Sequence, residues 1–245
     1  MTDLLPLSLR FAWWGTAWLR GLTSADDLLD AVRGEDAQHL VAHRGHDGTI
    51  ELDGLLIGMG RARSAGATAV GLCLPVEGDP VGLGGPAEFN HAALESGEAV
   101  LLLGTGTAWV PERTGRAVTW MPFPAARRQI DDLGASDRAL RASVPTTADA
   151  LARLDVARWR PEVADELLNL GHYHLIDAPP GTPEKCRDLA SRALVAQTIV
   201  DLALADDGGA VSASEMTARR DALVPLERTA RRALVAAASP EVWPH

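Results

Sequence analysis

Glu77 and Asp79 stand two residues apart in the run Leu72-Cys-Leu-Pro-Val-Glu-Gly-Asp-Pro-Val-Gly-Leu-Gly-Gly-Pro-Ala-Glu-Phe-Asn-His91, beside a glycine turn that leads into a helix carrying Asn90 and His91. Gly82, Gly84 and Gly85 bare backbone N–H groups there, and the dipole of the following helix would help them hold a phosphate or carboxylate. Two carboxylates beside an anion repel it unless a cation or a sugar hydroxyl stands between. A polyol, an amine or a metal-bridged ligand therefore fits better. His91 has the chemistry of a general base, because imidazole titrates near neutrality. The bland alternative is a loop whose Gly and Pro only set backbone angles, with His91 a surface or packing residue.

Other constellations are thinner. His172-Tyr-His174 with Asp177 would point two imidazoles to one side of an extended segment and supply a carboxylate, a three-ligand zinc pattern. The same residues, in a loop between helices, equally cap helix ends or meet solvent. His39, His43 and His46 suit a zinc ion only on a helix; on the strand their context favours, His39 and His43 stand ~13 Å apart, as exposed strand-end residues. Gly104-Thr-Gly106-Thr-Ala-Trp109 fails as a dinucleotide fingerprint, since Trp109 replaces the third small residue and a strand, not a helix, follows. The only lysine, Lys185, stands in no phosphate-binding Gly-x-x-x-x-Gly-Lys run, so no cofactor is implied and metal is set at none. Cys73 and Cys186 sit far apart in unlike contexts, which does not suggest a disulfide framework.

The elements that must position these residues read as follows. Leu7, Leu9, Phe11 and Trp13 alternate as on a strand, although Leu7, Phe11, Trp14 and Trp18 also match helical spacing. Ser24 caps a short helix ending at Gly34, a second strand covers Gln38 to His43, and a helix is expected from Ile50 to Ala65. Ala69 to Leu74 and Glu98 to Leu103 are continuous apolar strands, with the glycine loop and a helix from Pro86 to Ser96 between them. Trp109-Val110 and Ala117 to Met121 form a hairpin at the sheet edge, closed by Pro122-Phe-Pro124, because proline does not continue a central strand. The expected fold is thus an α/β N-terminal domain of about five strands, mostly parallel, over residues 1–124.

Residues 125–245 read as an all-α helical domain. Thr146 and Thr147 cap one helix, Pro161 opens another to Leu170, and Pro183 opens a long one to Ala205. Ser212 and Glu215 form a capping box for the last. Asp206-Asp-Gly-Gly209 turns an αα-hairpin across which Leu194, Ile199 and Leu202 meet Met216, Leu223, Leu226 and Leu234. The arginine pairs Arg219/Arg220 and Arg231/Arg232, with Glu215 and Glu227 four residues upstream, read as solvated helix faces. Most of the seven tryptophans are assigned to the core and to a domain contact.

Composition sets the outer bounds. The 245 residues are 47% hydrophobic and 23% charged, ordinary for a soluble globular protein, and no stretch is long enough to cross a membrane. A net charge of −10 disfavours nucleic acid, whose phosphates need a clustered basic surface. Without a cleavable leader pattern the expected location is cytoplasmic.

Three segments, Leu74-Pro-Val-Glu-Gly-Asp-Pro-Val-Gly-Leu-Gly-Gly-Pro-Ala-Glu-Phe-Asn90, Asp155-Val-Ala-Arg-Trp-Arg-Pro161 and Ala203-Leu-Ala-Asp-Asp-Gly-Gly-Ala-Val-Ser-Ala213, resemble those of an uncharacterised family from high-GC actinobacteria. The resemblance implies an actinobacterial cytoplasmic protein and carries no activity. The leading functional reading is a non-catalytic ligand-binding or protein-interaction module, with a small polar ligand near Glu77, Asp79, Gly84, Gly85, Asn90 and His91. The alternative is a carboxylate- and histidine-assisted hydrolase or transferase using the crevice of loop 75–91, with His91 as base. A third is a homo-oligomeric scaffold paired through the final αα-hairpin.

Overall fold

The structure, a computed structural model, describes residues 5–45, 48–153, 176–204 and 213–244. The chain opens with a helix rather than the expected strand: α1 spans Leu7–Leu19. Leu7, Leu9, Phe11, Ala12, Trp13 and Ala17 are all buried, because α1 packs on the sheet and against the helix that follows it, its Trp13 Nε1 donates to the distant Ala237 carbonyl, and it has almost no polar face. A helix buried all round shows apolar residues at both period two and period 3.6, which is why alternation misleads there. Gly15 is a contact point, not a breaker, since a Cβ there would stand 3.0 Å from Val70 Cγ2 in the sheet.

Helix α2 (Ala25–Arg33) begins as its sequence predicts, with Ser24 and Asp27 forming a reciprocal capping box. Strand β1 (Gln38–Arg44) follows, and then β2 (Ile50–Gly54), where a helix was expected to have begun already. Gly54 ends β2 and serves as the N-cap of helix α3 (Leu55–Ser64). Strand β3 (Ala69–Cys73), helix α4 (Ala87–Ser96) and strand β4 (Ala99–Leu103) fall where the apolar runs place them. Strands β5 (Thr107–Thr114) and β6 (Ala117–Pro124) complete the sheet.

Six strands run in the order β2-β1-β6-β5-β4-β3. The sheet is mostly antiparallel, a correction to the mostly parallel reading: only β1 and β6 pair in parallel. The apolar runs of β3 and β4 do reflect cover on both faces, but an antiparallel pair with a helix on each side writes the same pattern. Val70, Leu72, Val100, Leu102, Trp109 and Trp120 join the larger core cluster, which reaches α1, α2 and α3. Alternate residues Cys73, Ala99, Leu101, Ala108 and Val110 pack with Phe89 and Ala93 of α4 on the opposite face. The hairpin β5–β6 is central, not at the edge. Its prolines are tolerated because Pro111 lies beyond the last β4 pair, Val100 with Trp109, while Pro122 and Pro124 lie beyond the last β1 pair, Val41 with Trp120.

The C-terminal part is helical. Helix α5 (Leu133–Arg153) is capped by Asp132, whose Oδ1 accepts from the Ala135 N–H at 2.8 Å. Thr146 and Thr147 therefore lie within a helix rather than at its start, and the Thr146 hydroxyl donates back to the Ala142 carbonyl. Helices α6 (Glu184–Leu204) and α7 (Ala213–Ala237) pack against each other, with Ile199, Leu223, Leu226 and Leu234 buried between them and the rest of the core. The expected turn at Asp206–Gly209, the helix after Pro161 and Ser212 of the capping box lie outside the described residues. No described helix is long and apolar enough to cross a membrane.

Candidate functional site

The glycine loop after β3 is built from closely fitted turns. Val76 and Asp79 exchange backbone hydrogen bonds of 3.1 and 2.9 Å, and Gly78, at φ +77°, lets the chain reverse between them. Glu77 is left exposed at the tip, while Asp79 turns inward and is only 2% exposed. The buried carboxylate meets three arginines of α7: Arg232 Nη2 at 2.7 Å from Oδ1, with Arg231 Nη2 at 3.3 Å and Arg228 Nε at 3.7 Å from Oδ2. Arg231 pairs with Glu227 as the four-residue spacing predicts, yet it is buried and aimed at the loop, as Arg219 is buried further along α7. The solvated-face reading is thereby corrected for Arg219, Arg231 and Arg232, whereas Arg220 is exposed as that reading expects.

Beyond the turn the chain presses on the sheet. A Cβ on Gly82 would stand 2.8 Å from Cys73 Cα, so only glycine fits. Gly84 is exposed, and a Cβ there would stand 2.9 Å from the Arg127 carbonyl oxygen and 3.0 Å from Arg128 Cα. The Gly85 N–H donates to Asn90 Oδ1 at 3.0 Å, so Asn90 pins the loop to its helix. His91 faces solvent with 79% of its side chain exposed and pairs with Glu95 one turn on. Of the predicted site residues, Asn90 and Gly85 are brought together, Asp79 is committed to α7, and Glu77 and His91 are exposed.

The antiparallel pairing of β3 with β4 puts their carboxyl ends at opposite ends of the sheet, so the loop does not sit at the rim of a parallel crevice. The space beside it is different in origin. A groove of about 800 Å³ runs between Val81 and Gly82, the Gly104–Gly106 turn, the connection Ala125–Asp131, and Glu241 with Val242. Arginines 127, 128 and 232 line it, against Asp131 and Glu241.

Arg128 is the residue that sequence reasoning missed. Its side chain is 1% exposed, and every guanidinium nitrogen is engaged. Nε and Nη2 donate to the two Glu241 oxygens, Nη1 to the carbonyls of Leu72 and Gly82, and Nη2 also to Ser239 Oγ at 2.9 Å. This fork closes the outer edge of β3. Leu72 offers its carbonyl to Arg128 and its N–H to Ser239 Oγ, while Val70 exchanges both of its backbone groups with Thr16 Oγ1. The signal was Gly71, a glycine inside an apolar strand, where a Cβ would meet Arg128 Nη2 at 2.3 Å.

The remaining candidates divide by burial. Cys73 is buried beside Arg128, and burial pushes its thiol up to about 11 against the pull of the guanidinium, which keeps it protonated and poorly nucleophilic at neutral pH. Cys186 is likewise buried, its thiol raised to about 12 by desolvation. His39, expected at an exposed strand end, is 7% exposed. Its Nδ1 accepts from Trp120 Nε1 at 3.2 Å, and its Nε2 lies 3.1 Å from Oδ2 of Asp36, whose Oδ1 accepts from Arg113 Nη1 at 2.9 Å. Burial pulls the His39 pKa below the ordinary value. His46, His172 and His174 lie outside the described residues, and Asp177 is exposed. Among the described residues no group of three His, Cys, Asp or Glu side chains could hold a metal ion.

Comparison with known proteins follows the same two-part plan. A family model described as the Rv1486c-like protein, N-terminal domain, matches residues 8–133, and its C-terminal counterpart matches residues 134–235. The uncharacterized protein Rv1486c of Mycobacterium tuberculosis (strain ATCC 25618 / H37Rv) is 30% identical, the match covering 97% of this chain and 98% of the relative. The uncharacterized protein ML1804 of Mycobacterium leprae (strain TN) is 26% identical with the same coverage. No solved structure matches the chain. With both halves matched in order and mycobacterial relatives aligned almost end to end, the chain belongs to the Rv1486c-like protein family, an uncharacterised family of actinobacteria.

Proposed function

We propose that the protein is a ligand-binding module, working in the cytoplasm, whose groove beside loop 80–82 takes a small polar ligand bearing a carboxylate or phosphate. The observation that carries this reading is the groove itself. Its volume of about 800 Å³ lies within the range of small-molecule sites, and its lining mixes Val81, Leu103 and Ile130 with Arg127, Arg232 and Gln129. Arg127 and Gln129 are exposed on the groove wall, where they can meet a ligand without breaking the Arg128 fork. Asp79 does not oppose an anion, because the α7 arginines already answer its charge. Two buried cysteines without a disulfide fit a reducing compartment.

Catalysis through loop 75–91 would need Glu77, Asp79 and His91 around one reacting atom. Asp79 points to α7 and His91 pairs outward with Glu95, so binding is the reading these placements support. Thermal melts with inorganic phosphate, citrate and glycerol 3-phosphate test it. At least one should raise Tm in a saturable way for the unaltered protein and lose at least tenfold in apparent affinity with Arg127→Ser and Gln129→Ala combined. Equal shifts in both proteins, or none at all, would overturn it.

A further inference from the structure

The connection from β6 to α5 is held at both ends and bare between them. Ala125 donates its N–H to the Gly106 carbonyl at 2.8 Å and Ala126 to the Gly85 carbonyl at 2.9 Å, and at Asp132 the carbonyl accepts from Ser136 as α5 begins. Over residues 127–131 no backbone N–H or C=O finds a hydrogen-bond partner among the described residues. Exposure alternates along the same stretch: Arg127, Gln129 and Asp131 are exposed, Arg128 is buried and Ile130 half-buried. That is the two-residue period of an extended chain.

The stretch is not slack. Arg128 anchors it through the fork to Leu72, Gly82, Ser239 and Glu241, and Ile130 packs against the larger core cluster. An extended chain fixed by its inward side chains while its amides stay unpaired is a template for a second strand, and a partner docking there has little protein left to order. It forms one wall of the groove, whose other walls offer Val81, Leu103 and Val242, all half-buried and therefore reachable. The wall carries one uncommitted charge. Asp131 is paired with Arg232, which also holds Asp79, whereas exposed Arg127 makes no ion pair among the described residues.

We propose that the ligand of the groove is the carboxyl-terminal end of a peptide, lying extended and antiparallel along residues 127–131 with its terminal carboxylate at Arg127. This rests on the groove reading above and names its ligand class. The direction follows from the charge, because a peptide that ends at Arg127 runs back toward Asp131. Five extended residues span roughly 17 Å, which matches a partner of about four residues. The unpaired amides supply affinity without regard to sequence, and Val81, Leu103 and Ile130 select apolar side chains at alternate positions.

The probe is the peptide acetyl-Thr-Val-Thr-Val with a free carboxylate, titrated calorimetrically and followed by amide hydrogen exchange. It should bind saturably, and its carboxamide form should bind about tenfold more weakly. Arg127→Ser should erase that difference. Methylating either its last or its next-to-last peptide nitrogen should weaken it about tenfold while the other is tolerated, since successive amides of a strand point to opposite sides. Exchange at alternate amides within residues 127–131 should be fast in the free protein and slowed about tenfold by the peptide, but not by citrate. No binding of the peptide, equal effects of the two methylations, or unprotected amides at 127–131 would overturn the proposal. Saturable Tm shifts with citrate or phosphate, alongside any of those results, would leave the anion groove standing and remove only its peptide ligand; silence from peptide and anions alike would remove both.

Discussion

The two edges of the sheet are handled in opposite ways. At β3 the outward backbone groups of Val70 and Leu72 are answered by side chains from three distant parts of the chain, Thr16, Arg128 and Ser239. At β2 the strand pairs only with β1 and displays Ile50 and Leu52, 68% and 52% exposed. The difference teaches how burial dictates chemistry. An edge covered by helices loses access to water, so its N–H and C=O groups must find protein partners, whereas an edge open to solvent needs none. The covered edge consequently concentrates polar residues that cannot be removed singly.

Arg128→Met should strike hardest. It leaves the buried Leu72 and Gly82 carbonyls without their donor, at about 1–3 kcal/mol for each unsatisfied group, and removes the partner of the partly exposed Glu241 carboxylate. Urea melts measure this, and a loss below about 1 kcal/mol would show that the β3 edge does not depend on the fork. Thr16→Val should come next, leaving Val70 N–H and C=O buried without a partner at a cost of about 1–3 kcal/mol. An unchanged midpoint for that variant would mean that water reaches the edge and would break the comparison.

Between the edges, His39 sets a pH dependence. Because burial lowers its folded-state pKa below the unfolded value near 6.5, the unfolded chain takes up the proton first, so stability is full above about pH 6.5 and falls as pH drops below it. Asp36 acts in a lower window. Burial alone would raise it, but hydrogen bonds from His39 and Arg113 hold it below the usual carboxylate range, so its contribution persists until pH falls through that depressed value. Chemical melts from pH 7.5 to 5 should show the decline, and His39→Phe should flatten it; a slope unchanged by that substitution would assign the decline elsewhere. The smallest effect belongs to β2, where Ile50→Thr with Leu52→Thr should stay within about 0.5 kcal/mol, as exposed side chains away from any buried network do. A larger loss would show that the open edge is covered in solution.

Local elements were largely legible in the sequence, and long-range pairings were not. The capping box at Ser24, the apolar runs of β3 and β4, and the helix after Pro86 announce themselves within a few residues. Helix α1 did not, because burial on all sides removes the polar face that distinguishes helix from strand. Strand direction was equally hidden, since two-sided cover writes one apolar pattern for parallel and antiparallel neighbours. At the candidate site the turn around Gly78 followed from its glycine, but the partners of Asp79 come from about 150 residues away and no local spacing marks them. Arg128 lay in a stretch that reads as a connection, and only the glycine opposite it in β3 hinted at a close neighbour.

That arginine also imposes an order of events on synthesis. Ser239 and Glu241, which complete its shell, are separated from it by 111 and 113 residues, so a ribosome that has finished the sheet has yet to make the groups that neutralise it. A nascent chain halted after the sheet holds a cation it can neither bury nor pair. Cutting between the two matched halves at residue 133 should therefore yield an N-terminal fragment that sheds its β3 edge to proteases, and supplying the C-terminal piece in trans should restore protection.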